Sequence, residues 1–308
     1  MRLLVTGATG LLGLNLSLLA AAQGHRVTGL AHSRNLRGIP FDLKRLDLRQ
    51  VEEALSIIQA AQPEAIIHCA AIANIDAAEN AYQETFQLNV EIPGILAEAA
   101  ENWGIPFVHI SSDAVFDGEK GDYVETDPQN PLSLYAQTKL AGEQAVQRAY
   151  PSALIVRVVF FGWSLSGKRS LSEFFFNHLQ SGHSVNGFVD TFFCPLYAED
   201  LAATLLEMLA AGLTGIYHVT SPETLSKYDF GLRIARRFGF DPDLIKPTRA
   251  SEIDREAPRS LNLTLRSDKV QAALGHPLPS VDEGIEKYYQ RWLEGYPAYL
   301  QSLEVKII

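Results

Sequence analysis

Cysteine is almost absent from the 308-residue sequence, which contains only Cys69 and Cys194, far apart along the chain. Two isolated thiols exclude a disulfide-stapled scaffold and are typical of a protein kept in a reducing compartment. Histidines and cysteines form no cluster of ligand spacing either, so the sequence predicts no metal site.

Runs of like charge are also missing. The formal net charge is −10, and no run of about five like charges occurs. An acidic chain without a basic segment is poorly suited to bind nucleic acid or an anionic membrane surface. No stretch of about 18 apolar residues could span a bilayer, and Met1 leads directly into a glycine-rich loop rather than a secretory signal. We therefore expect a soluble cytoplasmic protein.

The chain does contain short apolar runs that alternate with longer helical patterns. The runs predict strands at residues 3–5, 26–30, 44–46, 65–68, 107–110, 154–158 and 216–219. The patterns predict helices at residues 11–23, 51–61, 85–102, 134–149, 199–211, 226–239 and 280–293. This alternation predicts βαβ units, and hence a Rossmann-type, doubly wound α/β fold with a parallel sheet. Residues 161–190 and 241–268 show little periodicity.

Apolar residues make up 47% of the chain and charged residues 20%, which is enough apolar material for a full core. The length suits two domains, or one domain with a lobe. We expect a dinucleotide-binding domain from residues 1–160 and about 190–220. A smaller C-terminal substrate-binding lobe would comprise about 161–189 and 221–308.

A glycine-rich loop lies between the first predicted strand and the first predicted helix. Its spacing is G-x-x-G-x-x-G, from Gly7 through Gly10 to Gly13. Such a loop lets the backbone approach a pyrophosphate, which then meets the free N–H groups of the helix N-terminus. The expected cofactor contacts here are Gly7, Thr9, Gly10, Leu11, Leu12 and Gly13. The alternative is a plain strand-to-helix turn.

The second predicted strand is followed by no acid. NAD-binding folds favour Asp or Glu there, for the ribose hydroxyl, but this chain has Ser33 and Arg34. Both could hydrogen-bond a 2′-phosphate, so the sequence favours NADP over NAD, with Arg34 as the phosphate contact. After the third strand, Asp47 and Leu48 are candidates for the adenine, although Asp47 could equally cap the next helix.

Tyr135 and Lys139 are four residues apart in a predicted helix, and so share one face. The pair is weak evidence alone, because such spacings arise by chance. Ser112 follows the fifth predicted strand. Because ligands of open α/β sheets bind at the carboxyl ends of the strands, Ser112 is expected beside a bound nicotinamide.

These motifs resemble the extended short-chain dehydrogenases/reductases, and within them the dTDP-4-dehydrorhamnose reductase branch of sugar-nucleotide enzymes. The resemblance extends over nearly the whole chain and also includes residues 67–71, 76–79, 88–90, 110–118, 195–202 and 257–259. It implies that Tyr135 protonates the substrate carbonyl, that Lys139 binds the nicotinamide ribose and lowers the pKa of the phenol, and that Ser112 stabilises the developing alkoxide. It further assigns Asn89 to a proton-relay water and Cys69, Ala70 and Ala71 to the cofactor site.

The resemblance implies a nucleotide sugar as substrate. Asp113, Trp163 and Arg259 are the expected substrate contacts, and Lys168, Arg249 and Arg255 are further candidates for its diphosphate. Ala114 occupies the position at which related dehydratases carry an acidic residue and related epimerase/reductases carry a cysteine. The resemblance therefore disfavours both of those reactions. The branch usually has an aromatic residue there, and its tryptophan has a different offset from Trp163.

Three functions remain open from the sequence. The first is NADP-dependent reduction of a nucleotide-linked 4-keto-6-deoxy sugar. The second is an NAD-dependent 4-epimerase of sugar nucleotides. The third is a non-catalytic NADP-binding subunit, because the chain also resembles the regulatory β subunit of methionine adenosyltransferase. The family often dimerises, so a homodimer is possible.

Overall fold

The computed structural model describes residues 1–253 and 260–305. The strands, in chain order, are β1 Arg2–Thr6, β2 Arg26–Ala31, β3 Asp42–Arg45, β4 Ala65–His68, β5 Phe107–Ser112, β6 Leu154–Val158, β7 Phe160–Phe161, β8 Val185–Phe188, β9 Phe192–Phe193, β10 Leu196–Tyr197, β11 Gly215–Val219, β12 Leu225–Ser226 and β13 Ile245–Thr248. The α-helices are α1 Leu11–Ala22, α2 Val51–Ala61, α3 Ile75–Asn80, α4 Tyr82–Phe86, α5 Ile92–Trp103, α6 Leu134–Ala149, α7 Leu171–Gln180, α8 Ala198–Ala210, α9 Lys227–Phe238, α10 Asp268–Leu274, α11 Val281–Leu293 and α12 Tyr296–Leu303.

Seven strands form one parallel sheet in the order β11-β6-β5-β4-β1-β2-β3. The short apolar runs become its strands because both faces are covered, and every residue of β4 is buried. One large apolar cluster includes alternate residues of β1, such as Leu3 and Val5, and a second includes Leu4. The predicted α/β fold is confirmed. The strand order reverses between β1 and β4, and open α/β sheets bind ligands in a crevice outside the carboxyl ends of the strands at such a point.

The segment predicted as one helix at residues 85–102 is more complex. Helix α4 passes into a π-helical turn at Gln87–Glu91 before α5 begins. The additional helix α3 precedes it. The periodicity of a single α-helix does not anticipate a π turn, which inserts a residue into the helical register and often occurs at functional sites.

The two segments without periodicity also contain regular structure. Helix α7 begins after Ser170 with a capping box, in which Ser170 and Glu173 each accept the other's backbone N–H. Strand β13 pairs in parallel with β8, so the two segments, which are distant in sequence, lie side by side. Among the residues described, no helix is long and apolar enough to cross a membrane.

Candidate active site

The glycine loop has the close approaches that its sequence predicts. Gly7 has φ +65°, and a Cβ on Gly13 would lie only 2.3 Å from the Gly7 carbonyl oxygen. Gly10 is the N-cap of α1 and provides no side-chain cap. The first N–H groups of α1 are therefore available to an anion, to which the helix dipole adds a partial positive charge. The loop thus fits a dinucleotide pyrophosphate on its own geometry.

A cavity of about 680 Å³ opens at this loop, at the carboxyl ends of the central strands. It is lined by all of the loop residues predicted for the cofactor: Gly7, Thr9, Gly10, Leu11, Leu12, Gly13, Ser33, Arg34, Asp47, Leu48, Cys69, Ala70 and Ala71. Asn89, Tyr135 and Lys139 do not line it, although Ile110 and Cys69, which adjoin Lys139, do. The cavity therefore extends from the glycine loop toward the end of β5.

The charged residues on the cavity wall are paired in ways that the sequence did not reveal. Arg34 Nη1 lies 3.2 Å from Oε1 of Glu304, near the C-terminal end of the described chain. Asp47 accepts from Arg49 through Nε at 3.0 Å and Nη2 at 2.7 Å. The hydrogen bond from Arg49 lowers the pKa of Asp47 to about 2. Asp47 does not cap α2, whose N-cap residue is Gln50.

A loop at residues 164–170, here called the strap, brings two cations to the same cavity. Lys168 and Arg169 line it, together with the first residues of α7. The buried carboxylate of Glu173 holds the strap by accepting from the backbone N–H of Ser164 at 2.6 Å and of Arg169 at 2.7 Å. The structure therefore places Lys168, expected at the substrate diphosphate, on the wall of the dinucleotide cavity.

Ser112, Asp113 and Tyr135 lie together at the end of β5. The Ser112 hydroxyl donates to Asp113 Oδ1 at 2.9 Å, and it also forms a hydrogen bond that lowers the pKa of Tyr135. Burial outweighs that effect and raises the pKa of Tyr135 to about 12. The pKa of Tyr135 is therefore raised, by burial and by the nearby Asp113 carboxylate, and not lowered by Lys139 as expected. Burial also raises the pKa of Asp113 to about 6, against the Ser112 hydrogen bond and the charge of Lys227.

Lys139 lies one turn after Tyr135 on α6 and is 2% exposed. Its Nζ donates to the Ile110 carbonyl oxygen at 2.7 Å. Burial lowers the pKa of Lys139 to about 8, while the carboxylate of Glu143 opposes that change. Helix α6 is fixed at its start by the Ser133 cap and by Glu79, whose carboxylate accepts the Leu134 N–H at 2.9 Å.

Asn89 braces the loop after β4. Its side chain accepts the Ile72 N–H at 2.9 Å and donates to the Ile72 carbonyl at 3.1 Å, and it also donates to Thr138 of α6. The π turn places this side chain between the loop after β4 and helix α6. Both amide hydrogens of Asn89 are thus donated within the protein, and its side chain links the loop after β4 to helix α6.

One of the expected substrate contacts, Trp163, is not brought to the site. Trp163 is 3% exposed, its ring stacks on Tyr288 at a centroid distance of 3.9 Å, and its Nε1 donates to the Tyr288 carbonyl. It belongs to an aromatic core because the chain turns inward after β7. Arg259, like Arg255, lies outside the described residues. Two further arginines line the cavity and were not predicted as site residues: Arg49, in the loop after β3, and Arg169, just before α7.

The arrangement has the components of carbonyl chemistry. A phenol that stays protonated at neutral pH hydrogen-bonds a serine hydroxyl at the end of a strand, and a buried ammonium one helical turn along donates to the carbonyl of Ile110, which lines the cavity. The phenol can donate a proton and the hydroxyl can stabilise an oxyanion. The buried carboxyl of Asp113, half ionised near pH 6, can accept a hydrogen bond from a polyol.

Comparison with known proteins gives one family and a consistent set of relatives. The family described as the RmlD substrate binding domain matches residues 1–293. A probable low-salt glycan biosynthesis reductase of Haloferax volcanii is 34% identical, over 91% of this chain and 95% of that protein. A dTDP-4-dehydrorhamnose reductase of Mycobacterium tuberculosis is 32% identical, over 86% of this chain and 85% of that protein.

The solved structures agree with the sequence matches. A hypothetical dTDP-4-dehydrorhamnose reductase from Sulfolobus tokodaii superposes with a TM-score of 0.80 at 30% identity, covering 92% of this chain and 98% of that one. A name that is not that of a reductase also occurs among the relatives. Methionine adenosyltransferase 2 subunit beta of Danio rerio is 31% identical, over 88% of this chain and 84% of that protein.

Proposed function

The chain belongs to the family of the RmlD substrate binding domain, and from that premise we propose that it is an NADP-dependent oxidoreductase that reduces the keto group of a nucleotide-linked 4-keto-6-deoxy sugar. The observation that carries the proposal is the meeting of Ser112 and Tyr135 at the end of β5, with Lys139 one helical turn away beside the dinucleotide cavity. The names of the reductase relatives support the same class of reaction.

Each of the three side chains has a separate task in this reaction. Bound NADPH supplies the hydride. Tyr135 donates the proton to the substrate oxygen, and its raised pKa of about 12 keeps the phenol protonated at neutral pH. Ser112 hydrogen-bonds the same oxygen and stabilises the charge that develops on it. Lys139, one helical turn along α6, holds its ammonium at the Ile110 carbonyl near the end of β5, where a positive charge favours the phenolate left after proton transfer.

NADPH is proposed over NADH from the end of β2. Ser33 and Arg34 line the cavity there, and no acid follows that strand. A guanidinium binds a phosphate monoester with two parallel hydrogen bonds. Arg34 forms an ion pair with Glu304 in the structure, so the 2′-phosphate would have to compete with the Glu304 carboxylate for the guanidinium.

The substrate assignment depends on small features of the pocket. Ala114 follows the Ser112–Asp113 pair and has no proton to exchange. An enzyme that abstracts a ring proton or eliminates water needs an acid–base group near this position, so reduction without dehydration is the chemistry these residues support. The relatives named dTDP-4-dehydrorhamnose reductase favour a dTDP-linked sugar as the first substrate to try.

The direct test follows the absorbance of NADPH with a dTDP-linked 4-keto-6-deoxy sugar. Replacing Tyr135 by Phe should lower kcat by about 10²–10⁴-fold, since it removes the proton donor. The Kd for NADPH, measured by fluorescence, should stay within about tenfold because no phosphate contact is lost. If the Phe variant keeps most of the activity, Tyr135 is not the acid. If the wild type binds NADPH tightly but turns over no sugar, the protein is a binding subunit.

Cofactor choice is tested by replacing Arg34 with Ala. Loss of a charged phosphate contact should weaken NADPH binding by about tenfold or more, while NADH binding changes little. Isothermal titration with both cofactors measures this difference. Equal effects on the two would show that Arg34 does not hold the 2′-phosphate.

A further inference from the structure

A fully buried ion pair lies beneath the catalytic helix, and the proposed reaction does not use it. Glu143 and Arg157 are each 1% exposed. Arg157 Nη2 lies 2.8 Å from Glu143 Oε2, and its Nε lies 3.0 Å from Oε1. The same Oε1 accepts from the Ser111 hydroxyl at 2.5 Å. Glu143 follows Lys139 by one helical turn, so both side chains face the sheet.

These contacts connect every element that presents a catalytic group. Glu143 is on α6, which presents Tyr135 and Lys139, and Ser111 directly precedes Ser112 on β5. Arg157 on β6 also contacts His218 of β11 at 3.4 Å. Glu143 therefore ties the helix of the proton donor to the strand of the oxyanion donor.

Stability alone is a weak explanation for this pair. Removing two charges from water is costly, and well-packed apolar residues in place of a buried pair are often neutral or stabilising. A buried carboxylate kept next to a functional lysine therefore points to an electrostatic or positional use.

Lys139 is surrounded by groups that are almost all uncharged at neutral pH. From the sheet it faces His68 of β4 and His109 of β5, whose pKa values burial lowers, that of His68 to about 3. Cys69 follows β4, and burial raises its pKa to about 12. The same face of α6 carries Tyr135, a phenol protonated at neutral pH, and Glu143, whose carboxylate raises the pKa of Lys139. Among these groups Glu143 provides the negative charge, with Arg157 behind it.

We propose that Glu143 is a positioning residue for the reaction: held by Arg157 and Ser111, it fixes Lys139 relative to Ser112 and keeps the Lys139 ammonium charged. The inference rests on the proposed function, because only in that reaction is this charge used. Burial works against the charged form and lowers the pKa of Lys139 to about 8, so the carboxylate maintains the ammonium near neutrality.

The test is a titration of Lys139 in the full chain, by NMR of ¹³Cε-labelled lysine, with Lys139→Arg to assign the signal. In Glu143→Gln the midpoint should fall by about one pH unit, since a nearby negative charge is lost. The matched control is Glu173→Gln, which removes another buried carboxylate, on the strap, and should leave the Lys139 midpoint in place. An unchanged midpoint in Glu143→Gln would overturn the proposal.

Glu143→Gln leaves Arg157 buried without its counter-charge and could fail to fold. The double variant Glu143→Gln/Arg157→Gln removes both charges and should show a lowered Lys139 midpoint as well. In either folded variant the loss of kcat should be larger at pH 8 than at pH 6.5, whereas a purely structural defect would lower kcat equally at both. If the wild type turns over no sugar, the proposed function fails, while the titration still decides the role of Glu143.

Discussion

Among the residues that the structure describes, two glutamates are buried, and their carboxylates are satisfied in opposite ways. Glu143 of α6 is paired with the guanidinium of Arg157 on β6. Glu173 under the strap has only neutral donors, which are N–H and O–H groups of Ser164, Arg169 and Ser170. The first carboxylate sets the charge around a functional side chain. The second sets the path of a backbone segment.

The difference also lies in how far each network reaches along the chain. All the donors to Glu173 lie within ten residues of it, whereas Arg157 and Ser111 are 14 and 32 positions from Glu143. A local network can form with its own loop. A nonlocal one depends on the whole sheet being in register, so its disruption should spread further.

The largest expected effect comes from breaking the charged network. Replacing Arg157 by Met leaves the Glu143 carboxylate buried and unpaired, which should lower the free energy of unfolding by about 3–5 kcal/mol. Glu173→Gln keeps the volume and loses only charge-assisted hydrogen bonds to neutral donors, so about 1–3 kcal/mol is expected. Urea denaturation with a shared m-value measures both. Equal losses would remove the distinction between the two glutamates.

The contrast also explains how much the sequence could predict. The glycine loop, the Tyr135–Lys139 spacing and the capping signature Ser170-x-x-Glu173 are local patterns, because their physics operates within one or two turns. The first two were used to predict the site. The third marks the N-terminus of α7, a helix that hydrophobic periodicity alone did not predict in residues 161–190.

The features that escaped prediction are contacts between distant residues. The ion pair between Arg34 and Glu304 joins the loop after β2 to the segment after α12, and no sequence pattern near either residue predicts it. Trp163 was expected at the sugar, but its neighbour Tyr288 lies 125 positions away and takes the ring into the core. The π turn at Asn89 depends on packing against α6 and the Ile72 loop. Sequence therefore predicts the local chemistry, and the sheet decides which parts meet.

A smaller effect should follow from loosening the strap. Glu173→Gln puts an NH2 group in place of one carboxylate oxygen, so the donors to that oxygen lose their acceptor and the strap that carries Lys168 and Arg169 loosens. The Kd for NADPH should then rise by about threefold to tenfold, as expected for the loss of about one hydrogen bond. NADH binding should weaken equally, because Trp163, the residue before the strap, is joined to α1 near the pyrophosphate loop: Asn15 donates to the Trp163 carbonyl at 3.1 Å. Fluorescence titration with both cofactors checks this, with Ser302→Ala on exposed α12 as the control.

Loss of NADPH affinity without loss of NADH affinity would place the strap at the 2′-phosphate instead. In that case the comparison between the two glutamates would need revision, since Glu173 would also act through charge, by way of the cations it holds.

The smallest expected effect isolates one exposed cation of the strap. Lys168→Gln should raise the Kd for NADPH by roughly twofold to fivefold at low salt, because an exposed ion pair is worth about 0.2–1 kcal/mol. At about 1 M salt, where the screening length falls to about 3 Å, the two proteins should bind alike. Lys246→Gln is the matched control, since Lys246 is also exposed but lies on β13 and does not line the cavity. A loss of NADPH affinity that persists at high salt would mean that Lys168 shapes the strap rather than attracting the cofactor through its charge. Lys168 would then act as Glu173 does, by fixing the backbone of the strap.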